Sequence, residues 1–163
     1  MRLDSAGVRR MNSKMLSVTD RPIDFASLIA RCAGSSDGAV ATFTGIVRDR
    51  SDSKKVTALQ YEAYVPMVLK CFAEISGEVK AKWAVSNISI AHRTGRLRVG
   101  ETAVAVAVSA PHRREALEAC AYAIDRIKTL APIWKKEFYD DEEGMWIESC
   151  GSVQEKEQHV HAY

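Results

Sequence analysis

The chain has no long hydrophobic run, no excess of either charge and no paired cysteines, and each absence removes a class of function. Its longest apolar stretch, Thr102 to Ala110, falls far short of a bilayer span and suits a buried strand. The first fifteen residues carry Arg2, Arg9, Arg10 and Lys14 but no apolar segment, which argues against a secretory signal. With 23 basic residues against 21 acidic ones and a net charge of +2, there is little field to draw a nucleic acid. Cys32, Cys71, Cys120 and Cys150 form no C-x-x-C pair, so they read as buried thiols in a reducing compartment, not as a redox pair or a catalytic nucleophile. No phosphate-binding glycine loop, dinucleotide fingerprint or nucleophile elbow is present. No His, Cys, Asp or Glu set has metal spacing, and His159 and His161 sit in a polar tail where they read as solvated. No carboxylate pair stands out for acid–base work.

What remains suits one ordinary globular domain. The 163 residues are 47% hydrophobic and 27% charged, enough for a sizeable core. We place a disordered tail at 1–18, one domain at 19–150 and a polar tail at 151–163. Phe25, Leu28, Ile29 and Cys32 have helical spacing, and Gly34 ends that helix. Ala39 to Val47 and Val56 to Tyr64 are strands, joined by the charged loop Arg48 to Lys55. Pro66 opens a helix to about Trp83, with Val68, Phe72, Ile75 and Val79 on one stripe. Val85 to His92 is a strand, residues 93–100 a connector, and Glu101 to Val108 a strand buried on both faces. A last hairpin runs from Ile133 to Tyr139 and from Met145 to Ser149. The order α-β-β-α-β-β-α-β-β, with no βαβ regularity, predicts an α+β domain with a mixed or antiparallel sheet and packed helices.

The stretch from Ser109 to Lys136 carries the strongest functional signal. Ala116, Leu117, Ala119, Cys120, Ala123, Ile124 and Ile127 place one helix stripe on a core. Ser109 reads as its N-cap, Pro111 fits its first turn, and Pro132 stops it. His112 and Arg113 then lie at the helix end that attracts anions, and Lys128 lies in the last turn. If the segment after Pro132 is extended, Lys135 and Lys136 point to opposite faces, and only one of them joins Lys128. With Arg48, His92 and Arg93, these make seven basic positions at strand and helix ends, which suggests an anionic ligand. A lysine in such a pocket is driven toward its neutral form, suiting acid–base or nucleophilic work. Plainer readings stand beside these. Arg48 reads equally as a loop charge, His92 as a strand residue satisfied by its neighbours, Arg96 and Arg98 as solvated loop charges, and Trp83, Trp134 and Trp146 as core.

Several segments in this order resemble the large, catalytic subunits of molybdopterin synthase. They are Asp37-Gly-Ala-Val with Thr42-Phe-Thr-Gly-Ile-Val-Arg48, Leu59-Gln-Tyr-Glu-Ala-Tyr64 with Met67, and His92-Arg-Thr-Gly-Arg-Leu97 with Gly100-Glu101. They continue with Ser109-Ala-Pro-His-Arg113, Leu117-Glu-Ala-Cys120, and Ile127-Lys-Thr-Leu-Ala-Pro-Ile-Trp-Lys-Lys-Glu137 with Trp146-Ile-Glu148. The match covers roughly Asp37 to Ser149. Pro111 before His112, and Leu130 where a basic residue can occur, depart from the pattern.

The resemblance implies a hammerhead α+β fold and a cytoplasmic homodimer. It also implies a small ubiquitin-like subunit on each protomer, making a heterotetramer. The small subunit's C-terminal thiocarboxylate would give sulfur to cyclic pyranopterin monophosphate to form the dithiolene of molybdopterin, with no cofactor and no metal. It marks Lys128 and Lys135 as catalytic, and Phe43, Arg48, His112 and Arg113 as substrate-binding. No nucleic acid or membrane partner is implied. The rival reading is a non-enzymatic module that docks a ubiquitin-like tail or an anionic ligand without turnover.

Overall fold

The computed structural model describes residues 15–51, 54–139 and 142–147. The readings made for Cys150, His159, His161 and the polar tail lie outside these residues. Among the described residues, two sheets and three helices make up an α+β fold. The first sheet has the order β1-β5-β7-β2, from Leu16–Thr19, Asn87–Arg93, Thr102–Ala110 and Ala39–Ile46. Only β1 with β5 is parallel, so the sheet is mixed. The second joins β3 (Arg50–Ser51), β4 (Lys54–Ala63), β8 (Ile133–Tyr139) and β9 (Glu142–Ile147), with β6 (Gly95–Arg98) on the other edge of β4.

Strand β7 is covered on both faces, as its continuous apolar run predicts. Val106 and Val108 join the main core with α2 (Val65–Lys82) and α3 (Arg113–Leu130), while Ala105 and Ala107 meet Leu28 and Cys32 of α1 (Phe25–Cys32). The α2 stripe Val68, Phe72, Ile75 and Val79 is fully buried, each side chain contributing roughly 1.5–3 kcal/mol by leaving water. Glu78 ties α2 to α3 by accepting from Arg126 Nη2 at 2.7 Å, Arg126 Nε at 2.8 Å and Tyr122 Oη at 2.8 Å. Those bonds hold the Glu78 carboxyl down at about 2. Among the described residues, no helix is long and apolar enough to cross a membrane.

Several boundaries differ from the sequence reading, each for a physical reason. Residues 16–18, placed in the tail, begin β1, where Leu16 and Val18 turn toward the main core. The connector 93–100 contains β6, bounded by Gly95 at φ 85° and Gly100 at φ 87°. One apolar residue, Leu97, buried against Val47, Val56 and Leu59, anchors it, too little to make a visible pattern. Ser109 is no N-cap: it is the buried penultimate residue of β7, its hydroxyl donating to the Cys32 carbonyl at 2.9 Å, and His112 takes the N-cap position. Gly34 does not end α1 by a left-handed turn, because Ala33 caps it in extended conformation; the Gly34 N–H instead donates to Asp37 Oδ2 at 2.8 Å. Trp134 and Trp146, read as core, are 42% and 48% exposed on the outer face of the second sheet.

Gly38 couples the start of β2 to the start of α3. A β-carbon there would stand 2.5 Å from the Pro111 carbonyl oxygen, backbone against backbone. Gly38→Ala is therefore expected to destabilise the protein by about 1–3 kcal/mol, the range for forced overpacking. Urea unfolding measures it, and an unchanged midpoint would show that the two segments can part at no cost.

Candidate functional site

Strands β2, β3, β4 and β8 and the last two turns of α3, with His92 of β5 and Ala103 and Val104 of β7, line a cavity of about 610 Å3. Its floor is apolar, with Leu59, Ala103, Val104, Ile124, Ile127 and Ile133; Arg48, Arg50 and Lys128 bring charge from the ends of elements, and Lys135 and Glu137 from within β8. Arg48 follows β2, where Val47 is pinned by an N–H bond to the Glu101 carbonyl and by accepting from the Gly100 N–H, both at 2.9 Å. Lys128 follows Ile127 at the end of α3, which closes as the Ala131 N–H reaches the Ile127 carbonyl before Pro132. Lys135 stands on β8 opposite Tyr61 of β4. Phe43 lies in the wall beside Gly45. A β-carbon on Gly45 would come within 2.6 Å of Val104 Cγ1 and 3.4 Å of Phe43 Cε1, so a glycine keeps this wall open.

Strand alternation separates Lys135 from Lys136, as the sequence predicts. Lys135 lines the cavity, whereas Lys136 lies over the rings of Phe138 and Trp146 on the opposite face. The two lysines that share the cavity differ in surroundings. Lys135 is half-buried and its Nζ is 2.8 Å from Glu137 Oε1. Lys128 is exposed, with no hydrogen-bond or ion-pair partner among the described residues.

Glu137 was missed as a site residue. It is 2% exposed, and burial alone would raise its pKa; bonds from Lys135, Tyr139 and Ser51 reverse this and bring it below the ordinary carboxylate value. Tyr139 Oη donates to Glu137 Oε2 at 2.7 Å. Its signal was available: two residues beyond Lys135 on a strand, it must face the same side. Arg50, Ser51 and Tyr61 also line the cavity. Among the described residues, Arg50 with Arg48, Lys128 and Lys135 makes four cationic groups against the single carboxylate of Glu137. The cavity suits an anion whose apolar part rests on the floor.

His112 and Arg113 lie elsewhere. Both are exposed at the start of α3, roughly 24 Å from Lys128 at 1.5 Å of rise per residue. The sequence grouped them with Lys128 as one basic set; within a single chain they do not share its cavity. The thiols also stay out of it. Cys32, Cys71 and Cys120 are buried and free, none lines the cavity, and burial pushes Cys120 up to about 11. Among the described residues, no group of three or more His, Cys, Asp or Glu could hold a metal ion.

His92 does line the cavity. Its ring stands edge-on to Tyr61 with centroids 5.2 Å apart, and Nδ1 lies 2.9 Å from the Arg93 carbonyl oxygen. A carbonyl only accepts, so Nδ1 carries the proton and Nε2 is left as an acceptor. Burial lowers the His92 pKa to about 4, against a smaller opposing effect of the Arg93 carbonyl. The unfolded chain therefore takes up a proton near pH 6.5 that the folded one refuses, and stability falls as pH drops from about 6.5 toward 4. Between pH 7 and 5 this group should cost about 2 kcal/mol. Urea unfolding at the two pH values, compared with His92→Gln, isolates it; an equal loss in the variant would assign the pH dependence to other groups.

The family model described as MoaE protein matches residues 18–130. A molybdopterin synthase catalytic subunit of Nostoc sp. is 42% identical over 143 residues, 87% of this chain and 86% of its own length. The one from Bacillus subtilis is 45% identical over 130 residues, 80% and 82% of the two chains. The crystal structure of molybdopterin synthase from Staphylococcus aureus has a TM-score of 0.77 to this fold at 40% identity, covering 85% of this chain and 99% of that one. A matched span of this length, and relatives of this identity along most of both chains, make the chain a member of the MoaE family.

Proposed function

We propose that the protein is the catalytic subunit of a molybdopterin synthase, transferring sulfur from the C-terminal thiocarboxylate of a small ubiquitin-like subunit to cyclic pyranopterin monophosphate. One observation carries this reading: Phe43, Arg48, Lys128 and Lys135, which the resemblance marked from separate segments, line a single cavity. A cyclic phosphate and a thiocarboxylate are both anions, and four cationic groups suit them. The name shared by the relatives, catalytic subunit, denotes one part of a larger enzyme, which agrees with a separate sulfur-carrying partner. Three buried free thiols agree with a cytoplasmic setting.

In this reading Arg48 holds the substrate phosphate, and Phe43 packs against the pterin. Lys135, fixed by Glu137, receives the thiocarboxylate end of the partner's tail. Lys128, free of any described partner, acts as acid–base or nucleophilic group and stabilises the tetrahedral species formed when water adds to the carbonyl of the glycine–sulfur–substrate thioester. The C–S bond of that species then breaks, leaving sulfur on the substrate and the glycine as carboxylate. Lys128→Ala is expected to lower single-turnover dithiolene formation by about 10²-fold or more, the scale for removing one stabilising donor, while the small subunit still binds. A fully active Lys128→Ala protein overturns the assignment. Wild-type protein that binds the small subunit but forms no product leaves the docking-module reading instead.

His112 and Arg113 keep their substrate-binding role through a second copy of the chain. A two-fold dimer in which each α3 start reaches the partner's cavity brings them to Lys128, whereas one chain cannot. Lys128→Ala and Arg113→Ala chains, each inactive alone, should on mixing recover about a quarter of wild-type activity, because one of the two sites in a mixed dimer has both residues intact. No recovery despite subunit exchange would mean that each site is complete within one chain.

A further inference from the structure

The strand alternation that sends His92 into the cavity sends Arg93 to the opposite side of β5. There Arg93, Arg96 and Arg98 line a separate groove of about 770 Å3 with Thr57 and Glu101. Among the described residues Glu101 is the only carboxylate in its lining, and both its oxygens are engaged. Oε1 accepts from Arg93 Nη1 at 3.1 Å and Oε2 from the Arg98 backbone N–H at 2.6 Å. These bonds, the backbone one first, hold the Glu101 carboxyl below its ordinary value, so it stays charged. Three guanidinium groups against one carboxylate leave two positive charges unneutralised in the lining.

The three arginines are held for use. The Arg93 side chain is only 12% exposed, and its Nε is buried with no hydrogen-bond partner among the described residues. A buried donor without an acceptor is unfavourable, and a ligand oxygen would supply the acceptor. The Arg96 guanidinium carbon lies 4.3 Å from the Phe138 ring centroid, a contact that leaves its N–H groups without a hydrogen-bond partner among the described residues. The Arg98 side chain has no hydrogen-bond or ion-pair partner among the described residues and extends from a strand bounded by two positive-φ glycines. A carboxylate offers two oxygens, too few for three guanidinium forks. A phosphate ester offers three and carries a charge close to the excess.

We propose that this groove is a second anion site, taking a small phosphate-bearing molecule and working independently of the cavity that contains Lys128. The test is an NMR titration of the full chain with inorganic phosphate at constant ionic strength, following the Arg93 Nε–H and the Arg98 and Val99 amides. Saturable shifts are expected at these groups, unchanged in Lys128→Ala and weakened at least tenfold in affinity in Arg96→Gln/Arg98→Gln. The two substituted side chains are exposed, and the amide spectrum of the double variant reports whether it folds. If it does not, the Arg93 Nε–H shift in Lys128→Ala decides alone. Shifts linear in phosphate, shifts matched by chloride, or shifts lost in Lys128→Ala would each overturn the proposal. Loss of the cavity's own chemistry in Lys128→Ala leaves this result untouched, so the two sites fail separately.

Discussion

The alternation of valine and alanine along β7 is the constraint on which the rest of the molecule depends. Val106 and Val108 give the main core the bulk against which α2 and α3 pack, while Ala105 and Ala107 leave α1 room to approach the other face. The same alternation reaches the cavity, where Val104 lies against Gly45 and Ala103 belongs to the floor. A strand covered on both sides cannot slip by one residue without exchanging large and small side chains across the sheet. The position of α3 is therefore set by the core, with the Glu78 bonds to Tyr122 and Arg126 at its margin, and Lys128 is carried to the cavity by that packing.

Charge in the cavity is arranged asymmetrically. A buried carboxylate such as Glu137 persists only because Lys135, Tyr139 and Ser51 bond to it. That network immobilises Lys135 and commits its ammonium to a protein partner. Lys128, outside the network and exposed, can change partner without breaking a buried pair. Neighbouring lysines thus differ: one is a fixed cation, the other a movable one. His92 adds a neutral acceptor to the same wall, since burial denies it a proton.

How much of this was legible depended on how much apolar pattern each element carries. The α2 stripe and the β7 run were readable because burial forces periodicity on them. Strands β1 and β6 were not, since Leu16 with Val18, and Leu97 alone, are too few to make a period. The opposed faces of Lys135 and Lys136 followed from strand geometry alone, and the same rule applied one step further reaches Glu137. Trp134 and Trp146 misled because size and hydrophobicity say nothing about which face of a sheet a residue occupies; cross-strand register does that, and register is a tertiary property. Ser109 looked like a cap because a serine before a proline and a helix fits one; that β7 runs on through Ala110 is decided by pairing with β2.

The length of α3 carries the last step. A helix of 18 residues spans about 27 Å, so the basic groups at its two ends cannot serve one small substrate in one chain. Yet its two ends are not equivalent in environment. The C-terminal end closes onto a cavity, while the start, with His112 as N-cap and no side chain satisfying it, faces solvent beside the backbone contact of Gly38 with Pro111. An exposed helix start that is rigidly placed, basic and uncapped is suited to meet an anion presented by another surface. A two-fold assembly that set the start of each α3 against the cavity of the other chain would bring the two basic ends together, so the separation that excludes cooperation within a chain would permit it between chains.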